Sequence, residues 1–353
     1  MSGVTSLSAP QPSPRSRYIA GAAYDWAFFL LPPLLSIALG AALGGSPFAH
    51  DPFWVGSRRT TWVALGLGTV VHAHLVAVVA RSHLNAEVFA RHRARFVLLP
   101  AALFVAMLVS DAVAIVATGL IVVWDVYHSA LQTFGLARLY DRLGGNDPHA
   151  GRRLDLGLNL LLYVGPIVAG ASLLAHVEKL GSLADVGLLF FAEAPAHLAS
   201  HQPWLLGAIG AATALYLVGY VVGYVRLWRR GHRVSFPKVF LLAATGLCSV
   251  WVWGTNPWGM AFFIMNLFHA VQYLALVWWS ERGRLRRRLR LDQARLGGLA
   301  TLAVFLVITT AYGLGAEVVT EEQRALWCLV QVVSLMHFFY DGFIWSVRQR
   351  HIG

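Results

Sequence analysis

The sequence predicts an all-α membrane protein, a polytopic bundle of about ten transmembrane helices. Of its 353 residues, 57% are hydrophobic and only 13% are charged, whereas an ordinary soluble domain carries about 25% charged residues. Apolar runs long enough to cross a bilayer recur along the whole length. This recurrence is typical of a multi-pass protein rather than of a soluble domain with one anchor.

The predicted elements are apolar runs separated by polar or turn-forming residues. Residues 1–20 begin with a Ser- and Pro-rich stretch and are expected to be a disordered cytoplasmic tail. Residues 21–350 are expected to form one transmembrane domain, with one sizeable outer loop at about 178–203 that holds an interfacial helix. The predicted spans are 24–45, 61–81, 95–110, 112–138, 155–177, 204–226, 238–254, 257–280, 297–315 and 323–347.

The distribution of basic residues predicts the orientation of these spans. With ten spans, the strongly basic connections all fall on one side, whereas the connection that holds Glu317, Glu321 and Glu322 is acidic. The positive-inside rule then places both termini on the cytoplasmic side of a bacterial-type inner membrane. The basic connections hold Arg81, Arg91, Arg93 and Arg95; Arg138, Arg142, Arg152 and Arg153; Arg226, Arg229, Arg230, Arg233 and Lys238; the run from Arg282 to Arg290; and Arg348 and Arg350.

The net charge of +11 has a membrane explanation. Because the basic residues cluster between apolar runs, they are expected to orient helices and to contact anionic lipid. The lipid bilayer is therefore a predicted partner, and nucleic acid is not. Cys248 and Cys328 both lie within apolar runs, so they indicate neither a disulfide framework nor a CxxC metal site.

Of the six histidines inside predicted spans, His176 lies at the outer end of the fifth, and the other five lie on four helices that run in the same direction. They are His72, His74, His128, His269 and His337. In each span they precede the next arginine by 7 to 13 residues, which is roughly 10–20 Å along a helix. A polar side chain at such depth is costly and is usually functional. Their shared depth predicts a metal or haem site inside the membrane.

Polar neighbours repeat beside these histidines at helical spacing. Asp125 and Gln132 share a face with His128, and Gln272 follows His269 by three residues. Asp341 follows His337 by four residues, and Tyr340 flanks the same side. A histidine bound to a metal usually donates its second N–H to a carboxylate or carbonyl, so these side chains are candidate partners. Trp345, near a span end, is expected to belong to an interfacial aromatic belt.

His72 and His74 present a geometric conflict. Residues two apart on an α-helix point about 200° apart, so both cannot face one centre on a regular helix. We expect one of the two to be a metal ligand, and the spacing alone does not select it.

Imidazole-rich sites suit iron, copper and zinc. Non-haem iron is the favoured cofactor, with haem, copper and zinc as alternatives. The arrangement resembles the His-rich integral-membrane oxygenases, most of all the Brp/Blh type that cleaves β-carotene. The similarity lies in His337 and Asp341 before Ile344, and in Phe268-His269. It covers short patches, and the five histidines on these four helices do not form the paired HxxxH and HxxHH motifs of desaturases and hydroxylases.

These observations predict a membrane oxidoreductase that uses iron to oxidise or oxidatively cleave a lipid-soluble substrate. His128, His269, His337 and either His72 or His74 would bind the metal. Asp125 and Asp341 would orient ligands or join the metal, and Gln132, Gln272 and Tyr340 would line the substrate pocket or position oxygen. The sequence shows no nucleotide-binding loop, so a separate electron donor is expected. The alternatives are a haem-binding electron-transfer protein and a proton-coupled transporter.

Overall fold

The computed structural model describes residues 17–170, 177–255 and 261–345. Most of the predicted tail, residues 1–16, lies outside this range. Within it the chain is a helical bundle with one short β-hairpin, in which Phe53–Val55 (β1) pairs antiparallel with Arg58–Thr60 (β2). The α-helices are α1 (Ala22–Asp25), α2 (Pro32–Leu43), α3 (Pro47–His50), α4 (Trp62–Ser82), α5 (Ala86–Val109), α6 (Asp111–Leu143), α7 (Arg152–Ala169), α8 (Leu189–Ser200), α9 (Gln202–Arg229), α10 (Phe236–Ser249), α11 (Ala261–Arg288), α12 (Gly297–Val318) and α13 (Arg324–Ile344).

Seven helices among the described residues are long and apolar enough to cross a membrane. An eighth candidate span is a broken helix, Ala22–Leu30 with Pro32–Leu43, which bends by 48°. These elements support a multi-pass helical membrane protein. Two further predicted spans coincide with α7 and α11, which carry buried polar side chains. The count of ten spans and the orientation of the termini stay predictions.

Polar caps mark where three long helices begin. Thr61, Asn85 and Ser110 each precede a helix, and each side chain accepts a hydrogen bond from the backbone N–H three residues later, at 3.2–3.3 Å. Such caps satisfy N–H groups that the first turn of a helix leaves open. In the predicted outer loop, a 3₁₀ helix (Glu178–Val186) precedes α8, so the expected helix is present there.

Helix α4 is the centre of the bundle and packs against α11, α12 and α13. Its contact with α12 depends on two glycines. A Cβ on Gly313 would clash with the backbone carbonyl of Thr69, and a Cβ on Gly68 would clash with the carboxylate of Glu317. Small residues that let helix backbones approach closely are a common device in membrane helix packing.

A buried charge cluster joins three helices at one end of the bundle. It consists of Arg138 and Asp141 on α6, Asp155 on α7 and Lys238 on α10. Arg138 donates to Asp141 and Asp155 at 2.6 and 2.5 Å, and Lys238 donates to the same two carboxylates at 2.7 and 2.8 Å. The expectation that the basic residues contact lipid is therefore wrong for Arg138 and Lys238. Both are helical and buried, because two carboxylates balance their charge.

The close α4–α12 contact yields a test of the packing. Replacing Gly313 with Ala should lower the free energy of unfolding by about 1–3 kcal/mol, because the added methyl group meets fixed backbone. Gly315→Ala on the same helix is the matched control, since a Cβ there meets no atom within 4 Å. Thermal unfolding of both variants in the same detergent measures the difference. Equal unfolding temperatures would contradict this packing.

Candidate metal centre

Four of the predicted histidines meet in the core, each from a different helix. They are His74 on α4, His128 on α6, His269 on α11 and His337 on α13, and none is more than 5% exposed. The imidazoles form a closed square. Neighbouring ring centroids lie 5.0 Å (74–269), 5.0 Å (269–128), 4.8 Å (128–337) and 4.9 Å (337–74) apart. We call this group the histidine square.

The ring nitrogens of His128 and His337 are placed to share a ligand. Their Nε2 atoms lie 3.1 Å apart. On the far side of its ring, His337 Nδ1 lies 3.1 Å from the backbone carbonyl of Leu75. If Nδ1 carries the proton and donates it to this carbonyl, Nε2 is free to bind a metal.

The other two members of the square lack conventional partners. Neither ring nitrogen of His74 or of His269 has a hydrogen-bond partner among the described residues. Leaving buried polar groups unpaired is expensive, and ligand atoms of His74, His269 and His337 within 4.8 Å of one another could hold a metal ion. Two nitrogens bound to one tetrahedral ion at about 2.0–2.1 Å lie roughly 3.3 Å apart, close to the spacing found for His128 and His337. The donor set therefore fits a metal.

The structure distinguishes between His72 and His74. His74 belongs to the square, and its nitrogens lie within 4.8 Å of those of His269 and His337. His72 lies on another face of α4, where Nδ1 is 3.1 Å from the Glu317 carboxylate and 3.0 Å from the Gly68 carbonyl. Helix geometry allows only one histidine of this pair to face the square, and that residue is His74.

Asp341 lies directly beside the square. Its Oδ2 is 3.8 Å from Nε2 of both His128 and His337, and the three side chains form a second group able to hold a metal. Its Oδ1 accepts hydrogen bonds from the Tyr273 hydroxyl at 2.8 Å and from Trp345 Nε1 at 3.0 Å. Tyr273 and Trp345 therefore orient the carboxylate through Oδ1. Oδ2 lies on the side of the histidines.

Tyr273 and Trp345 are site residues that the sequence reasoning missed. Trp345 was assigned to an interfacial belt, whereas its indole hydrogen-bonds to Asp341. The spacing of these two residues from predicted site residues could have identified them. Tyr273 follows His269 by four residues, and Trp345 follows Asp341 by four, so each lies one turn further along the same helix face.

Three other predicted site residues lie near the square and connect helices. Asp125 accepts a hydrogen bond from the Asn266 amide at 3.1 Å. Gln132 donates to the His269 carbonyl at 3.1 Å and to the Gln272 side chain at 3.3 Å. Gln272 in turn donates to the Phe29 carbonyl at 2.7 Å. These bonds hold α6 against α11 and thereby set the positions of His128 and His269.

Tyr340 lies on a different face of α13 from Asp341. Its ring packs against Phe96 of α5, with centroids 4.7 Å apart, and also faces His83 and Phe343. Consecutive residues on a helix point about 100° apart, so Tyr340 cannot share the direction of Asp341. Its contacts support a packing role.

A cavity of about 520 Å³ adjoins the histidine square. His128, Gln132, Tyr273 and Asp341 supply its polar wall, next to the candidate ligands. At its outer side Tyr127 is 48% exposed. The rest of the lining is apolar apart from two glycines: Trp124, Leu131, Gly135, Leu136, Leu139, Leu276, Phe338, Phe339, Gly342, Phe343 and Trp345.

Comparison of the chain with protein-family models, with curated proteins and with solved structures finds no match.

The separation of His72 from His74 provides a paired test. His74→Ala should lower the amount of bound metal by at least about tenfold. Removing even a residue that only hydrogen-bonds to a metal ligand costs roughly 10–100-fold in metal affinity. His72→Ala on the same helix should retain the wild-type metal content. Elemental analysis of both purified proteins, after loading with the same metal, gives the comparison. Loss of metal only in the His72 variant would contradict the assignment.

Proposed function

We propose that this protein is an integral-membrane metalloenzyme that oxidises or oxidatively cleaves a lipid-soluble substrate. One observation carries the proposal. Four buried imidazoles, two of them without hydrogen-bond partners, converge beside an apolar cavity. Potential ligand atoms of His74, His269 and His337 lie within 4.8 Å of one another, and those of His128, His337 and Asp341 form a second such group.

Non-haem iron is the proposed metal. His128, His337 and Asp341 provide two imidazoles and one carboxylate, the donor set typical of non-haem iron oxygenases. When bound, the iron would supply oxygen activation through its open coordination positions. The resemblance of His337, Asp341 and Phe268-His269 to the Brp/Blh type agrees with this choice. Copper and zinc also accept imidazole ligands, so metal analysis is part of the test.

A haem fits these residues less well. Bis-histidine ligation requires two imidazoles on opposite faces of a wide planar ring. The four imidazoles contact one another at 4.8–5.0 Å between centroids, and this closed arrangement has no slot for a macrocycle between them.

The surrounding side chains would position the substrate and exclude water. Tyr273 and Trp345 hold Asp341 in place, and the Gln132 bonds keep His269 and His128 on facing helices. The aromatic walls of the cavity keep water away from the reacting atoms. The exposed side at Tyr127 would admit a lipid-soluble substrate directly from the bilayer.

The finer topology belongs to the same proposal. Ten spans with both termini in the cytoplasm, in a bacterial-type inner membrane, follow from the distribution of basic residues. Reducing equivalents, where the reaction needs them, would come from a separate electron donor.

The metal content and the visible spectrum of the detergent-purified protein test the proposal. We expect near-stoichiometric iron without a Soret band, and loss of iron in His128→Ala, His269→Ala and His337→Ala. Oxygen uptake with β-carotene in micelles then tests the substrate class that the resemblance implies. Full metal occupancy in all three variants would overturn the metal centre, and a Soret band would favour haem.

The two cavity glycines allow a test of the substrate site that leaves the ligands intact. Gly135→Leu and Gly342→Leu should each lower kcat/KM for oxygen uptake by roughly tenfold or more, because the added side chain displaces the substrate. A Cβ at either position meets no atom within 4 Å, so folding should tolerate the change.

Gly207→Leu is the matched control for these two variants. An added Cβ at Gly207 also meets no atom within 4 Å. Gly207 lies on α9 and does not line the cavity. Its kcat/KM should equal that of the wild type, and all three variants should keep their iron. Unchanged activity in both cavity variants would argue against this cavity as the substrate site.

A further inference from the structure

The cavity beside the histidine square extends unequally along α6. Its lining runs on this helix from Trp124 to Leu139. His128 lies four residues after the first and eleven residues before the second. At the rise of an α-helix, the cavity reaches roughly 6 Å beyond His128 in one direction and roughly 16 Å in the other. We call these two parts the short end and the long end.

The other two helices that line the cavity show the same asymmetry. Contacts between α6 and each of them follow the same order along both chains, so the three helices are parallel. The pairs are Asp125–Asn266, His128–His269 and Gln132–Gln272 with α11, and Thr118–Gln331 and His128–His337 with α13. On α11 the lining begins at Tyr273, four residues after its histidine, and on α13 it begins at Phe338. The long end therefore lies on the C-terminal side of the histidines on all three helices.

An aromatic pair closes the short end. The ring centroids of Trp124 and Phe338 lie 6.2 Å apart, and Phe338 also packs on the His128 ring at 4.9 Å. Phe338 itself is buried. Among the residues that the structure describes, the lining has none on the N-terminal side of Trp124 in α6 or of Phe338 in α13. A chain bound in the cavity would stop at this pair.

The long end leads toward arginine side chains. Arg142 follows Leu139 by three residues and Gly135 by seven, so it continues the lining face of α6. It is half-buried, and Arg282 near the end of α11 is exposed. The roughly 16 Å of the long end is about half of the hydrocarbon core of a bilayer, which is about 30 Å thick. The long end thus matches the depth of one leaflet, with the arginines at the head-group level and the histidines where lipid chains end.

This inference rests on the proposed function and names its substrate class. We propose that the substrate is an unsaturated single-chain lipid with a carboxylate head group. Its carboxylate lies toward Arg142, because arginine near the bilayer surface attracts anionic groups, and its apolar end lies against Trp124 and Phe338. The volume of about 520 Å³ lies in the range of pockets that hold one small ligand. β-Carotene, a hydrocarbon with two identical halves and no polar end, fits this one-sided cavity less well.

The short end determines which double bond reacts. Only roughly 6 Å of chain can lie beyond His128, so cleavage falls in about the last quarter of the bound chain. The double bond and one O₂ molecule are consumed together. Each carbon of the broken C=C bond takes one oxygen atom, and the products are two aldehydes, one of which keeps the carboxylate. This step needs no external electrons or protons.

Photo-crosslinking tests the orientation without depending on catalysis. Two stearic acid probes carry a diazirine, one near the methyl end and one beside the carboxylate, and mass spectrometry locates the modified residues in the detergent-purified full chain. We expect the methyl-end probe to react at the level of Trp124 and Phe338, and the carboxylate-end probe at the level of Leu139. Reversed positions, the same position for both probes, or no reaction with cavity residues would overturn the proposal.

The products from α-linolenate test the site of cleavage, because this fatty acid has double bonds both near its methyl end and near its middle. We expect propanal, which forms only at the double bond nearest the methyl end. Trp124→Ala opens the short end and should lower the ratio of propanal to hexenal several-fold. Trp204→Ala, at an exposed position of α9 outside the cavity, should keep the wild-type ratio. Cleavage only at the double bond nearest the carboxylate would overturn the proposal.

Arg142→Gln tests the position of the head group. It should weaken the binding of stearate by roughly fivefold and leave the binding of methyl stearate unchanged. Arg229→Gln, at an exposed position of α9, should affect neither ligand. Equal losses for stearate and its ester would overturn the placement of the carboxylate.

Iron content separates this inference from the proposed function. The Trp124, Trp204, Arg142 and Arg229 variants should all keep wild-type iron. The expected crosslinks without oxygen uptake by the iron-loaded protein would overturn the cleavage step and support the orientation. Oxygen uptake with α-linolenate but without propanal would support the metalloenzyme and overturn the inference.

Discussion

Polar groups inside a membrane-depth helix bundle must satisfy one another, because lipid offers them no hydrogen bonds. This constraint accounts for several bonds between distant helices. Arg81 of α4 bonds to Glu281 of α11 at 2.6 Å, and Tyr140 of α6 donates to Asp25 at 2.9 Å. The charge cluster joins α6, α7 and α10 in the same way. Against this background, the unpartnered imidazoles of His74 and His269 at the centre of the bundle form a candidate ligand site.

The candidate metal centre and its cavity share two helices. Helix α6 supplies His128 and, on the turns that follow, a wall of the cavity; helix α13 supplies His337, Asp341 and the opposite wall. The crossing of α6 and α13 therefore determines both where the metal would sit and how close a substrate would lie to it. Gln132 links this pair to α11 through the His269 carbonyl.

The sequence allowed the histidine site to be predicted because depth can be counted along a helix. Each histidine lies a similar number of residues from a basic span end, and four of the five converge. The choice between His72 and His74 required the rotation of α4, which is set by packing against α12 through Gly313 and Gly68. No local pattern contains that information.

The wrong predictions for Arg138, Lys238 and Trp345 have a common physical cause. Arginine and lysine at a span end are usually solvated or at the lipid head groups. The spacing shows that Asp141 is one turn from Arg138, but not that Asp155 and Lys238 of other helices join this pair in the interior. Trp345 has the same ambiguity, because an indole near a helix end serves equally well at an interface or as a buried donor. Only the tertiary arrangement decides between these roles.

The order of the ligands along the chain has a consequence for biosynthesis. The histidine square draws on residues 74, 128, 269 and 337, and a ribosome makes them in that order. The first two are made well before the last, so a nascent chain exposes an incomplete ligand set until α13 has been synthesised and inserted. Premature termination before this helix would yield a protein without a complete histidine square, and metal acquisition, if the proposed centre binds metal, would be a late event of assembly.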